Sequence, residues 1–361
     1  MTYASATDVR FIPSHDPTNT YNKRGIPMDD RIKALIDGAK RAVLGPDDVD
    51  RDTIISLLDI EPGSEEFVYL GKVARDVSRF LVMNQAKVGT SIGLDLCPCS
   101  ASCDFCSLGE KWGLVKECAE LSDDAVIRIV REKHAEGYYQ FTLRTTEYYS
   151  IERLGELGKK VREEVPGDYF LTANTGELTV DDARYLKGCG FTAAYHVPRL
   201  GEGRYTPFSL EERLTTMRNI KAGGLMLTTG LDPIGPEFTN EELADKIIEL
   251  RDEGPVGICV MRRESVPGTP LGDMAEISDE RLSQIVAVVR LSFKGNIAAH
   301  PANRMSIGFG ANNAAAEIGA TPRQDNENLS EWIHKHDDIR GMFMEAGYEL
   351  VSKEHYGNGR R

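Results

Sequence analysis

Four cysteines crowd into one run of this 361-residue chain, Cys97-Pro-Cys99-Ser-Ala-Ser-Cys103-Asp-Phe105-Cys106. The other three of its seven, Cys118, Cys189 and Cys259, are scattered. Thiolates this close on one loop can reach a shared metal group without help from distant segments. Zinc sites usually use paired C-x-x-C knuckles separated by a longer stretch. Here there is a single C-x-x-C and no histidine near it. Cys99, Cys103 and Cys106 offer three thiolates in C-x3-C-x2-C spacing. A 4Fe–4S cube normally takes four, so three leave one iron open to another ligand. Cys97 gives the longer spacing C-x5-C-x2-C; Cys99 is favoured, and Cys97 then reads as a buried strand-end thiol. A transient disulfide is the remaining reading, though clustered cysteines in a cytosolic chain more often bind metal. Cys118, Cys189 and Cys259 read most simply as core thiols.

Such a loop needs a scaffold. Residues 28–87 read as helical, with apolar positions at three- and four-residue spacing, Asp50 or Asp52 capping the second helix and Ser64 the third. From residue 91 short β-like runs alternate with amphipathic helices. The runs are 91–96, 139–144, 168–173, 191–196, 225–231, 256–261 and 295–300, with a weaker eighth at 314–319. Helices between them start near Ser122, Ser150, Thr179, Ser209, Thr239 and Ser278, each followed by acidic residues that suit an N-terminus. Regular βα alternation implies a parallel sheet, and seven or eight units imply a complete or nearly complete TIM-type (β/α) barrel. The expected layout is an arm and helical lead-in over 1–87, the barrel over 88–325 and a C-terminal helix and tail over 326–361.

In such barrels the active site lies at the C-terminal ends of the strands. The polar segments there are Cys97–Cys106, Arg144–Ser150, Asn174–Glu177, His196–Glu202, Asp232–Glu237, Arg262–Ser265 and His300–Arg304. All are expected to converge on one mouth.

The net charge of −14 argues against nucleic-acid or anionic-membrane binding, because phosphate contacts need clustered Lys and Arg. No apolar run approaches the length of a membrane span, and the polar start lacks a signal-peptide core. The protein is expected in the cytoplasm.

The cysteine loop resembles that of the radical S-adenosylmethionine (SAM) superfamily, with Phe105 matching the aromatic residue before the last cysteine, near the adenine. More narrowly, residues from about 30 to about 320 resemble the biotin synthase group, which includes HydE-type hydrogenase maturases, methylornithine synthase and HmdB-type proteins. The longer spacing from Cys97 resembles the HmdB type. The resemblance implies one 4Fe–4S cluster on Cys99, Cys103 and Cys106, with SAM on the open iron. It places Thr145-Thr146-Glu147 where these enzymes receive the SAM amino group, and Asn174 and Glu177 where they present polar groups to the ligand. Arg213 then binds the SAM carboxylate, Gly235 and Glu237 lie in the adenine region, and Pro267-Gly268-Thr269-Pro270-Leu271 matches a turn after the sixth strand.

The chemistry implied is reductive cleavage of SAM to a 5′-deoxyadenosyl radical that abstracts hydrogen from a small substrate. Arg144, His196 and Tyr148 are the candidate catalytic residues, with His300 and Asn303 as further candidates. Arg144, Arg199, Arg262, Arg263 and Arg304 near strand ends would suit a carboxylate or phosphate on the substrate. A low-potential donor, ferredoxin or flavodoxin, is implied. The group context suggests a HydE- or HmdB-like role in cofactor maturation or an unusual amino acid, with a methylornithine-synthase-like rearrangement as an alternative. Biotin-synthase-like sulfur insertion needs a second cluster, for which the second, third and fifth strands carry no cysteine. A non-catalytic iron–sulfur scaffold is the alternative of a different class.

Overall fold

The computed structural model describes residues 28–318 and 329–352. The expected N-terminal arm, the tail Glu354–Arg361 and the boundary at 325/326 lie outside them.

Three helices lead in: α1 (Asp30–Leu44), α2 (Arg51–Leu58) and α3 (Glu65–Leu81). Asp50 rather than Asp52 caps α2, accepting from the Thr53 N–H, and Ser64 caps α3. After α3 the chain turns through Met83 and Asn84, both at positive φ, into the first barrel strand. That strand runs Gln85–Gly93, earlier than the expected 91–96, so residues 85–87 are strand rather than helix. Gly89, Ser91 and Gly93 face the barrel interior, while Ala86, Val88 and Ile92 are buried toward the helices.

The next seven strands are Gln140–Arg144, Phe170–Asn174, Ala193–Tyr195, Met226–Ile234, Gly257–Arg262, Asn296–His300 and Asn313–Ile318. All eight are parallel neighbours in sequence order, and the eighth pairs with the first to close the barrel. The helices between them are α4 (Asp123–Ala135), α5 (Ile151–Glu164), α6 (Val180–Gly188), α7 (Leu210–Ala222), α8 (Asn240–Asp252) and α9 (Asp279–Ser292). Each starts at its expected cap: the side chains of Ser122, Ser150, Thr179, Ser209, Thr239 and Ser278 all accept from first-turn N–H groups. Two later helices are α10 (Arg304–Gly308) and α11 (Leu329–Glu345). Among the described residues no helix is long and apolar enough to cross a membrane.

Strand alternation decides what the barrel encloses. Phe141, Leu143, Leu171, Ala173, Ile258 and Val260 are buried toward the helices. The intervening positions, such as Thr142, Thr172 and Cys259, face the interior and line a chamber there. The apolar core is therefore the layer between strands and helices, while the interior stays polar and partly open.

The lead-in docks on the outside, α3 against α9 and α2 against α8 and α9. The Gln284 side-chain amide on α9 donates to the carbonyls of Leu57, Leu58 and Ile60, satisfying the free end of α2. Arg290, fully buried, donates to the Gly310 and Gly295 carbonyls and to Asn312 Oδ1, which ties α9 to the loops beside the last two strands.

Candidate active site

The cysteine loop leaves the first strand through Asp95–Leu96, which pairs antiparallel with Ala119–Glu120. That short ladder sets residues 97 and 118 opposite each other, and Cys97 and Cys118 form a disulfide. Cys97 is thus neither a buried thiol nor a free ligand here, and Cys118 lies exposed at the surface rather than in the core. Spacing along the chain carries no sign of this pairing; the ladder creates it.

Cys99, Cys103 and Cys106 are free and half-buried. Backbone hydrogen bonds fold the loop on itself: the Cys99 N–H donates to Leu108 O (2.7 Å), Glu110 N–H to Cys99 O (2.9 Å) and Cys106 N–H to Cys103 O (3.0 Å). Ser102 takes a positive φ of 45° at the bend. Neighbouring elements fasten the loop: Asp104 N–H donates to Tyr205 O and accepts at its carbonyl from Leu271 N–H, in the turn after the sixth strand. Burial raises the Cys99 thiol above its ordinary range, and the nearby backbone of Ala101 and Glu147 opposes the rise. Burial pushes the Cys103 thiol up to about 12, with Arg199 opposing it and Cys106 and Cys99 adding to it. The three sulfurs are close enough to feel one another's charge, and a metal replaces the proton that each holds in its absence. Among the described residues no three ligating side chains close around a single ion. Three free thiols on one braced loop fit a polynuclear iron–sulfur group.

The mouth beside them is a cavity of about 250 Å³. Each of the seven polar segments named above contributes to its lining, and Glu317 of the eighth strand joins them. Phe105 lines it, with the Arg199 guanidinium 5.5 Å from its ring centre. Glu147, Asn174, His196 and Arg213 line it too.

Arg213 is buried between carboxylates, 2.8 Å from Glu147 and 2.8 Å from Glu177, with its Nε 3.5 Å from Glu202 and its plane over the Phe208 ring. It is not an open cation, but its buried Nε lacks a hydrogen-bond partner. Thr216 donates to Glu177, whose carboxyl burial raises. Three carboxylates around one guanidinium suit a ligand with more positive than negative charge, as SAM is with its ammonium and sulfonium. His196 is held by burial near a pKa of about 3, with Arg213 and Arg199 adding to the effect, so it is a neutral imidazole. Its Nε2 is buried without a hydrogen bond, 3.5 Å from Glu177.

Other expected residues sit differently. Thr146 faces Asp95, which accepts from both its N–H and its hydroxyl, so it braces the turn while Thr145 and Glu147 face the cavity. Glu237 is buried 3.0 Å from Arg263, which also donates to the Leu271 and Ala275 carbonyls. Glu237 therefore holds the loop after the sixth strand, and Gly235 packs directly against its carboxylate, not at the cavity. Tyr148 is exposed on the rim and does not line the cavity. Arg304 pairs with Glu345 at the surface, and Asn303 caps α10.

Sequence reasoning missed Asp95, Tyr195 and Glu317 as lining residues, while Asp232 and Glu264 belong to segments expected at the mouth. Arg199 is 2.5 Å from Asp232, which also accepts from the Tyr195 hydroxyl at 3.1 Å. The available signal was strand alternation, since each lies on, or just past, an inward-facing strand end.

Gly176 shows how tightly the site is set. A Cβ there would lie 2.0 Å from the Glu147 carbonyl oxygen. Gly176→Ala is expected to displace Glu147 and Arg213, cutting 5′-deoxyadenosine formation roughly 10- to 100-fold with iron content unchanged. Chromatographic product assay and iron analysis check this; full activity would refute it.

No family model matches the chain. It is similar to the biotin synthase of Rippkaea orientalis, 23% identical over 296 residues covering 76% of this chain and 78% of that one. The biotin synthase of Trichodesmium erythraeum is 26% identical over 312 residues, 80% and 79% of the two chains. Among solved structures, methylornithine synthase (PylB) superposes with a TM-score of 0.75 at 18% identity, covering 90% of this chain and 99% of that one. The FeFe-hydrogenase maturase HydG from Carboxydothermus hydrogenoformans gives 0.72 at 15% identity, 90% and 82% of the chains. Across three-quarters of both chains the sequence is similar to biotin synthases, the barrel is shared with methylornithine synthase and HydG, and three free thiols at its mouth fit a 4Fe–4S cluster.

Proposed function

We propose that the cluster is held by Cys99, Cys103 and Cys106 and that the enzyme acts on a small polar molecule inside its barrel, in a biosynthetic step of the HydE or HmdB kind. The observation that carries this reading is the junction of the mouth and the inner chamber, which share Arg144, Asn174, Tyr195, Met261, His300 and Glu317. Reduced cluster and bound SAM together supply the 5′-deoxyadenosyl radical. The protein's part is placement. Glu147 and Glu177 face the SAM ammonium, the Arg213 Nε offers its carboxylate a donor, and Phe105 flanks the adenine. The neutral His196 Nε2 gives the cofactor a further polar contact without adding charge. Keeping water from the mouth protects a radical from side reactions. A ferredoxin or flavodoxin in the cytoplasm is the proposed electron donor.

A carbon-skeleton rearrangement is the second reading, favoured over sulfur insertion by where the remaining thiols lie. Cys118 is tied to Cys97, Cys189 is buried at the end of α6, and Cys259 alone faces the interior. One thiolate does not hold a second cluster.

The test is anaerobic reconstitution followed by dithionite and SAM. Methionine and 5′-deoxyadenosine are expected, with about four irons per chain and one 4Fe–4S component by Mössbauer spectroscopy. A loaded cluster that never cleaves SAM would favour a scaffold. A reproducible 2Fe–2S component would return sulfur insertion to first place.

A further inference from the structure

Arg199 stands between the cysteine loop and the barrel wall. It follows the fourth strand, and its backbone is fixed at two points. Its N–H donates to the Glu202 carboxylate at 2.9 Å, and the N–H of the next residue, Leu200, donates to the Asp232 carbonyl at 2.8 Å. On one side the guanidinium lies 5.5 Å from the ring centre of Phe105, which sits in the loop between Cys103 and Cys106. On the other side its Nη1 meets Asp232 at 2.5 Å. Asp232 is only 1% exposed, on the fifth strand, and the Tyr195 hydroxyl also donates to it at 3.1 Å. The pair is therefore a held dipole, with its positive end toward the thiols and its negative end behind. Burial raises the Cys103 thiol, and Arg199 is the charge that opposes the rise, against Cys106, Cys99 and Glu202.

Resting on the three-thiol assignment proposed above, we infer that this pair sets the reduction potential of the cluster: Arg199 raises it, and Asp232 limits the rise from behind. A 4Fe–4S group gains one negative charge when it is reduced. A guanidinium beside it stabilises that state more than the oxidised one, and the attraction is stronger in a partly dry site than in water. Net charge and solvent exposure are among the terms that set such potentials. Arginine suits the task because it stays charged at any working pH. Asp232 does not cancel it, since Arg199 reaches the loop directly and Asp232 lies one side chain farther off. Glu202 acts on Cys103 and Glu147 on Cys99 with the opposite sign, so Arg199 offsets acidic surroundings.

A redox titration of the reconstituted proteins, followed by electron paramagnetic resonance without SAM, tests this. Arg199→Gln should lower the potential. At a given applied potential its ratio of reduced to oxidised cluster should fall about tenfold, a shift of about 59 mV for one electron. Asp232→Asn should move the ratio the other way, by about threefold, because its charge is farther from the loop. Arg199→Lys keeps the charge and should stay within about twofold of wild type. A pair that only braces the loop would give no shift, or shifts of one sign. An unchanged potential in loaded Arg199→Gln, or an unchanged or lower one in loaded Asp232→Asn, would overturn the inference. If Arg199→Gln does not load, Asp232→Asn decides alone; if neither loads, the pair is a brace and the inference falls. Iron content of about four per wild-type chain reports the three-thiol reading separately. A loaded cluster whose potential ignores both substitutions refutes only the tuning.

Discussion

Cys103→Ala protein, reconstituted anaerobically, is expected to fall from about four irons per chain to less than one and to form no detectable 5′-deoxyadenosine. Cys103 is the middle thiol of the loop, and its backbone carbonyl accepts from both Cys106 N–H and the Trp112 indole. The backbone contacts survive the substitution, so the loop keeps its path and only the sulfur is lost. Two thiolates do not retain a 4Fe–4S cube stably. The paired variants decide the choice among the four clustered cysteines. Cys99→Ala should behave like Cys103→Ala, whereas Cys97→Ala should keep its iron, because Cys97 is already joined to Cys118. Iron and sulfide analysis with electron paramagnetic resonance reads all three. Loss of the cluster in Cys97→Ala with retention in Cys99→Ala would establish the longer spacing and require the disulfide to open. Full cluster content in Cys103→Ala would remove the ligand assignment altogether.

Arg213→Ala should weaken SAM binding by about 100-fold, as loss of a charge-assisted carboxylate contact implies, while iron content stays the same. The structure adds a second effect. Arg213 is the cation that Glu147, Glu177 and Glu202 share, and its side chain is only 5% exposed. Its removal leaves three carboxylates facing one another in a half-buried site. Breaking such a buried pair costs about 3–5 kcal/mol, so the variant should also unfold at lower denaturant. Arg213→Lys separates the two effects. It keeps the charge and most of the stability but lacks the planar fork, and should bind SAM with intermediate affinity. Equilibrium binding and denaturant titration on the three proteins check this. SAM affinity unchanged in Arg213→Ala would refute the contact, whatever happens to stability.

The barrel was legible because its signals are local. Each helix announces itself by a cap, and Ser122, Thr179, Ser209 and Thr239 all cap where their sequence neighbours say they should. The strands are less sharply bounded. The fifth continues three residues past its expected end through Asp232 to Ile234, and the first starts six residues early. The first strand alternates like the others, with Ala86, Val88 and Ile92 buried on its outer side, but it follows the last lead-in helix after only three residues, and pairing with the second and eighth strands marks its course.

The candidate site was legible where one segment supplies the chemistry and opaque where several must meet. The three-thiol loop can be found by spacing alone. Glu237 could not be placed in the same way: it follows a strand end as the mouth residues do, yet its carboxylate turns to the buried Arg263. Tyr148 is next to Glu147 in sequence but points to solvent.

By itself, then, the sequence determined the βα order, the helix starts, the cysteine loop and the set of strand ends that form the mouth, because all of these depend on contacts within a few residues. Only tertiary structure decided which charges neutralise which. Arg144 meets Glu317 across 173 positions, Arg213 meets Glu147 across 66, and the ladder that joins Cys97 to Cys118 exists only once the loop has folded back. Ion pairs and disulfides form between groups within a few ångströms, and closing the barrel brings those groups together.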